Sequence, residues 1–305
     1  MFYMDNRKVI KFGKTSFVVS LPIKWLRKCN LDKGDLLDVK EKHSCLMISP
    51  TYKDDCTREH TILLNKDTNF LTLMNRVKSA YLSNNDMIKI QGDVKPHIDN
   101  IHKTVNGFNA LEIVDISDDE VVLKDYVDKG FSNPNDIFLR INSIITTMFQ
   151  YLIKNNGSDD IIKLDLQVNK LNNFINKLVH HNIDNFKDNT EKLMILAKMS
   201  NYLELIGDEI KRIAKLDKDN RVDRLVIKDV FDNYKENFLL AIKLLTKSAS
   251  DISYMIEKKD YMLKNLDRFY DITDSKVVAA SSQRLKNIVE FSHIILMSAH
   301  VYALM

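Results

Sequence analysis

The stretch NYLELIGDEIKRIA at residues 201–214 reads as an amphipathic helix with two carboxylates, Glu204 and Asp208, four positions apart. Residues at i and i+4 project from the same face of a helix, so the two acids belong to one patch. The stretch also carries the last glycine of the chain, Gly207, and all four prolines (Pro22, Pro50, Pro96, Pro134) lie at or before residue 134. Between Pro134 and the C-terminus the only glycines are Gly157 and Gly207. A tail so poor in breakers reads as helix throughout. It divides into six long helices, over residues 135–155, 159–180, 189–216, 223–248, 251–270 and 274–304. Connections of a few residues between long amphipathic helices make antiparallel neighbours, hence a bundle. The apolar run at 288–305 is interrupted by Glu290, His293 and His300, and a carboxylate is costly in lipid, so it reads as a bundle helix and not as a membrane span.

A faint internal repeat runs through this tail. LDLQVNKL at 164–171 corresponds to KDYMLKNL at 259–266, and residues 201–214 correspond loosely to QRLKNIVEFSHIIL at 283–296. Two copies of a three-helix unit follow, over residues 131–217 and 222–305. These features resemble the PhoU family of phosphate-uptake regulators. Its members carry two three-helix repeats, with an acidic-x-x-x-Asp motif on one helix and a Glu-x-x-x-Asp motif of the ERIGDHA kind on the next. The resemblance implies patches of four carboxylates that hold iron, zinc or other divalent ions. Hard and borderline cations suit such an oxygen-rich patch. In the first repeat the implied ligands are Asp165, Asn169, Glu204 and Asp208; Asn169 departs from the pattern and leaves three carboxylates and an amide. In the second the equivalents are Asp260, Lys264, Lys286 and Glu290, where two lysines neutralise two acids as interhelical ion pairs and exclude a cation by charge.

Residues 57–130 read as a small α/β unit. Strands are expected at 61–64, 87–91, 111–116 and 120–123, and helices at 69–83 and 96–105. The first helix carries Phe70, Leu73, Val77 and Ala80/Tyr81 on one face. There is no glycine-rich phosphate loop, since Gly92 and Gly107 are isolated. His97 and His102, five apart, have poor ligand spacing and are expected at the surface. FLTLMNRVKSAYLSNNDMIKI at 70–90 and NALEIVDISDDEVVL at 109–123 look like the linker region of archaeal-type PhoU proteins that carry an AbrB-like head.

At the N-terminus, apolar runs at 9–12 and 17–21 flank a Gly13-Lys14 turn and predict a β-hairpin. Pro22 suits a first helical position, followed by Ile23, Trp25 and Leu26. Gly34 allows a tight turn into a strand at 36–40. Between residues 7 and 33 stand Arg7, Lys8, Lys11, Lys14, Lys24, Arg27, Lys28 and Lys33 against one acid, Asp32, a net charge of +7. So short a unit cannot bury a core alone and is expected to pair with a second copy. SLPIKWLRKCNL at 20–31 and DKGDLLDV at 32–39, behind the hairpin, resemble the SpoVT/AbrB-type swapped-hairpin DNA-binding domain. The resemblance implies interleaved hairpins from two chains, with Lys8, Lys11, Lys14, Lys24, Arg27 and Lys28 on the DNA. The one-sided charge suits a phosphate backbone.

The expected fold is therefore a multidomain α+β protein. It has an N-terminal swapped-hairpin β domain (1–50), a small α/β middle unit (57–130) and a C-terminal all-α bundle of two three-helix PhoU-like repeats. Apolar content of 45% and charged content of 29% are ordinary for a globular chain, and the overall charge is only +3, so the basic character is local. Three cysteines, Cys29, Cys45 and Cys56, without CxxC spacing argue against a disulfide framework or a zinc site and for reduced thiols in the cytoplasm. No signal peptide is apparent. The chain has no nucleophile elbow, HExxH motif or Walker loop, and its only Glu-x-x-His, Glu290 to His293, has no second copy, so an enzyme is not expected. The resemblances imply a DNA-binding transcriptional regulator of phosphate uptake that acts as a homodimer and senses through the bundle. The alternative is an adaptor that binds a phosphate transporter ATPase or a signalling protein and uses the head to dimerise. The candidate cofactor is a divalent metal, iron or zinc, at the first carboxylate patch.

Overall fold

The computed structural model describes residues 6–42, 45–51, 58–127, 133–154, 157–184, 190–217, 222–246, 252–271 and 275–305. The chain divides into two compact units, Met1–Thr57 and Arg58–Met305.

In the first unit, β1 (Ile10–Phe12) pairs antiparallel with β2 (Ser16–Val18). The predicted turn holds Gly13 at φ 72°, a conformation glycine adopts without strain. A short helix, α1 (Ile23–Lys28), follows. Pro22 stands one position earlier than expected, as the N-cap, where its carbonyl accepts the amides of Trp25 and Leu26. The helix stops because Asn30 turns left-handed (φ 51°) and lets the Leu31 amide reach the Leu26 carbonyl at 2.9 Å, a Schellman closure. Then β3 (Leu37–Lys42) and β4 (Cys45–Pro50) form a second antiparallel ladder. No described residue of this unit is buried. Cys29 is a free thiol; the Cys45 side chain and Cys56 lie outside the described residues.

The second unit begins with a four-stranded sheet of order β5-β6-β8-β7. Its strands are β5 (Glu59–Leu64), β6 (Met87–Gly92), β7 (Leu111–Ile116) and β8 (Glu120–Asp125). The neighbours β5 and β6 pair in parallel, which requires a crossover connection, here α2 (Phe70–Leu82), and β8 runs against both β6 and β7. The Asn69 side chain accepts the Thr72 amide at 2.8 Å and caps α2. A 3-10 turn (Lys95–His97) leads into α3 (Ile98–Val105). Leu73, Val77 and Tyr81 of α2 and Ile101 of α3 close over Ile62, Ile88, Ile90 and Leu123 of the sheet. His97, expected at the surface, is buried, with Nε2 3.2 Å from the Asn65 carbonyl oxygen; His102 is exposed as expected.

Among the described residues six helices follow: α4 (Pro134–Lys154), α5 (Ser158–Asp184), α6 (Thr190–Leu216), α7 (Arg224–Leu245), α8 (Ser253–Asp271) and α9 (Lys276–Leu304). Helices α4, α5 and α6 pack on one another; α9 packs on α6, α7 and α8. Stacked rings join α4 to α7, Phe149 on Phe231 at 4.9 Å and Phe138 on Phe238 at 5.4 Å. Val127 touches both the sheet core and the bundle core. Among the described residues no helix is long and apolar enough to cross a membrane.

Candidate functional site: the carboxylate patch of α5 and α6

Helix periodicity puts Asp165 and Asn169 on one face of α5, and Glu204 and Asp208 on one face of α6. The two faces meet, and Asp165 is buried there. The centre of the patch is filled by a side chain of the protein itself. Lys211 Nζ donates to Asp165 Oδ2 at 2.7 Å and to Asp208 Oδ1 at 2.5 Å. Asn169 presents its Nδ2 to the same Asp165 oxygen at 3.4 Å. The other oxygen of Asp208 accepts from Arg212 at 3.1 Å. Arg212 also pairs with buried Glu209 at 2.9 Å. Glu209 in turn accepts from Arg284 of α9 at 2.9 Å and from Asn287 at 3.3 Å. Asp165, Lys211, Asp208, Arg212, Glu209 and Arg284 thus alternate in sign along a continuous chain across α5, α6 and α9.

Glu204 stands apart: half-buried, it makes no hydrogen bond or ion pair among the described residues. Burial pushes its carboxyl above the ordinary range, helped by the charges of Asp208 and Asp165 and opposed by Lys78 and Lys211. Burial also raises Asp165, against the hydrogen bond and charge of Lys211. For Lys211 burial is the largest influence and acts downward; its bonds to Asp165 and Asp208 outweigh it and hold the ammonium above its usual value.

A divalent ion in this patch would need convergent oxygens at about 2.0–2.6 Å. Here the facing oxygens of Asp165 and Asp208 are both taken by one ammonium, and the amide turns its nitrogen inward. The donor set as folded does not fit a metal ion, and among the described residues no group of three or more His, Cys, Asp and Glu has metal-holding geometry. Lys211 was legible in principle: it lies three residues past Asp208 and seven past Glu204, on the same helix face.

In the second half, Lys259 Nζ lies 3.9 Å from Asp260 and 3.6 Å from Glu290. Lys286, expected against these acids, pairs with Asp267 instead, and Lys264 is exposed. His293 lies beside this group; burial and the Lys259 charge lower its imidazolium, against Glu290 and Asp260.

Residues 138–217 match the PhoU domain. The matched segment spans α4 to α6 and so contains the whole α5–α6 patch. It points to a part in regulating phosphate homeostasis. No curated protein and no solved structure matches the chain.

In the first unit, Lys8, Lys11, Lys14, Lys24, Arg27 and Lys28 are all exposed. Lys11 lies on β1, Lys14 in the hairpin turn and Lys24, Arg27 and Lys28 on α1.

A second buried ionic site was not foreseen from the sequence. Lys177 of α5 pairs with Asp125 at the end of β8, with side-chain exposures of 0% and 1%. The same ammonium lies 3.8 Å from the centre of the Tyr81 ring on α2. Nothing in the spacing of three residues from three elements announces such a meeting.

Proposed function

We propose that this protein regulates phosphate homeostasis as a DNA-binding transcription regulator. The unit Met1–Thr57 grips DNA as a homodimer, and the PhoU-like helices receive the signal. The observation that carries this reading is one chain joining the PhoU-matched helices to a unit of net charge +7 over residues 7–33 with its candidate DNA-binding side chains all exposed. Local positive charge on a small unit is the electrostatic footprint of phosphate binding. Dimerisation is supported by the lack of any buried residue among those described in that unit, where Phe12 is 69%, Phe17 66% and Leu36 77% exposed. Apolar surface on this scale calls for cover, and the same surface of a second copy is the proposed cover.

The test is a titration of the full chain against DNA from upstream of its own gene and of neighbouring phosphate-transporter genes, beside shuffled DNA, at two salt concentrations. Selective binding that survives moderate salt is expected. Weak, unselective binding erased by salt would sink the regulator reading and leave the head as a dimerising device on an adaptor.

A further inference from the structure

We propose that Lys211 is the resident cation of the α5–α6 patch, so that this bundle holds its carboxylates together with its own ammonium and takes no divalent metal there. The inference concerns the patch alone and stands whether or not the head binds DNA.

The geometry supplies the reason. A bridging cation must sit between Asp165 on α5 and Asp208 on α6, and Lys211 Nζ already does so, at 2.7 and 2.5 Å. The ammonium is tethered one turn from Asp208 on the same helix, so it needs no binding event and cannot be diluted away. An incoming divalent ion would have to strip it from both oxygens and then remain beside a fixed like charge, which is repulsive over a few ångströms in a half-buried site. The paired part of the network is balanced in charge. Three acids, Asp165, Asp208 and Glu209, face three bases, Lys211, Arg212 and Arg284. Only Glu204 is left over, with Lys78 and Lys211 as the positive charges that act on it.

The substitution of lysine for metal has a mechanical consequence. The joint between α5 and α6 is closed by the protein's own side chains, and Glu209 with Arg284 extends it to α9, outside the PhoU-matched segment. Metal occupancy is then not the variable this bundle reports.

The experiment compares the wild type with N169D/K211A, which supplies a fourth carboxylate and removes the ammonium. Each purified full-length protein is analysed for bound metal, then titrated calorimetrically with Zn²⁺, Fe²⁺, Mn²⁺ and Mg²⁺, with thermal melts in metal and in chelator. The wild type is expected to carry and bind no stoichiometric metal and to melt alike in both. The double variant is expected to bind one ion per chain and to melt higher in metal than in chelator. N169D/K211M, which keeps the side-chain volume, serves if the alanine variant does not fold. A wild type that binds one ion per chain, lost in D165N/D208N, overturns the proposal. Opened variants that fold and still bind nothing overturn it as well, because Lys211 would then not be what excludes the metal.

Discussion

Glu204 and Asp208 share one face of α6 yet meet different surroundings: Asp208 is held by Lys211 and Arg212, while Glu204 has no hydrogen bond or ion pair among the described residues and burial raises its pKa. A carboxyl raised in the fold binds its proton more readily there than in the unfolded chain. The stability this brings is present at low pH and is lost as pH rises from the ordinary value of 4.5 through the folded value. Glu204→Gln is therefore expected to melt above the wild type at neutral pH, with the gap closing as pH falls toward 4.5. Paired melts between pH 4.5 and 8 check this, and a gap that ignores pH would refute it. Gly207, between these two acids, serves packing and not a turn. A Cβ there would stand 3.0 Å from Ile145 Cδ1 and 3.7 Å from Met148 Cε, so the glycine lets α4 approach α6 closely. Gly207→Leu is expected to cost about 2 kcal/mol by overpacking. Gly207→Ala should stay near neutral, since a gain in helix propensity of about 1 kcal/mol offsets a shifted methyl. Denaturant unfolding separates the two, and equal stabilities would mean that close approach is not the glycine's purpose. At this scale the sequence exposed which acids share a face, because the 3.6-residue period is local. It did not expose which cation they meet, because Lys211 had to be weighed against a metal and a salt bridge at once.

Elements were the most legible level. Long breaker-free helices and alternating strands follow from local periodicity, and the described residues form six bundle helices and four middle strands where these were expected. What periodicity cannot give is how one element is fastened to the next. His97 looked like a surface residue on an amphipathic segment, yet it packs inward to reach the Asn65 carbonyl after β5. Lys177 looked like any helix lysine, yet it crosses from α5 to Asp125 at the end of β8 and covers the Tyr81 ring of α2. That pairing ties the sheet to the PhoU-matched helices at a point where both charges are fully desolvated. Lys177→Met takes the ammonium away from a buried carboxylate that keeps the Val127 amide, and is expected to cost about 3–5 kcal/mol. Replacing both partners by apolar residues leaves no charge behind, and K177M/D125L should recover most of that loss. Urea unfolding of the two singles and the double measures the coupling. An additive double would show that the ion pair does not join these elements.

At the scale of the molecule the two units obey different rules. Arg58–Met305 has two hydrophobic clusters of its own, whereas the described part of Met1–Thr57 buries nothing. A unit of that size normally cannot stand without a partner surface, so on the proposed reading the head's fold and its DNA binding depend together on a second copy. Phe12 and Phe17, on the two strands of the hairpin, are the side chains to test. The register sets Phe12 on the hairpin face of Ile10 and Val18 and Phe17 opposite Lys11 on the other, so aspartates at both put charge on both exposed faces and disfavour a second copy. On the proposed reading the wild type is expected to sediment as a dimer, and the full chain of F12D/F17D as a monomer at the same concentrations. Its main melting transition should be unchanged, because that belongs to the bundle. Its DNA affinity should fall, because a dimer engages two half-sites and a monomer one. Neutralising Lys11, Lys14, Arg27 and Lys28 should act differently: the dimer persists while the slope of log affinity against log salt falls by about one for each DNA phosphate no longer neutralised. A phenylalanine variant that stays dimeric would move the interface out of the hairpin, and the exposed apolar side chains on its two faces would then need another cover than a second copy of the chain.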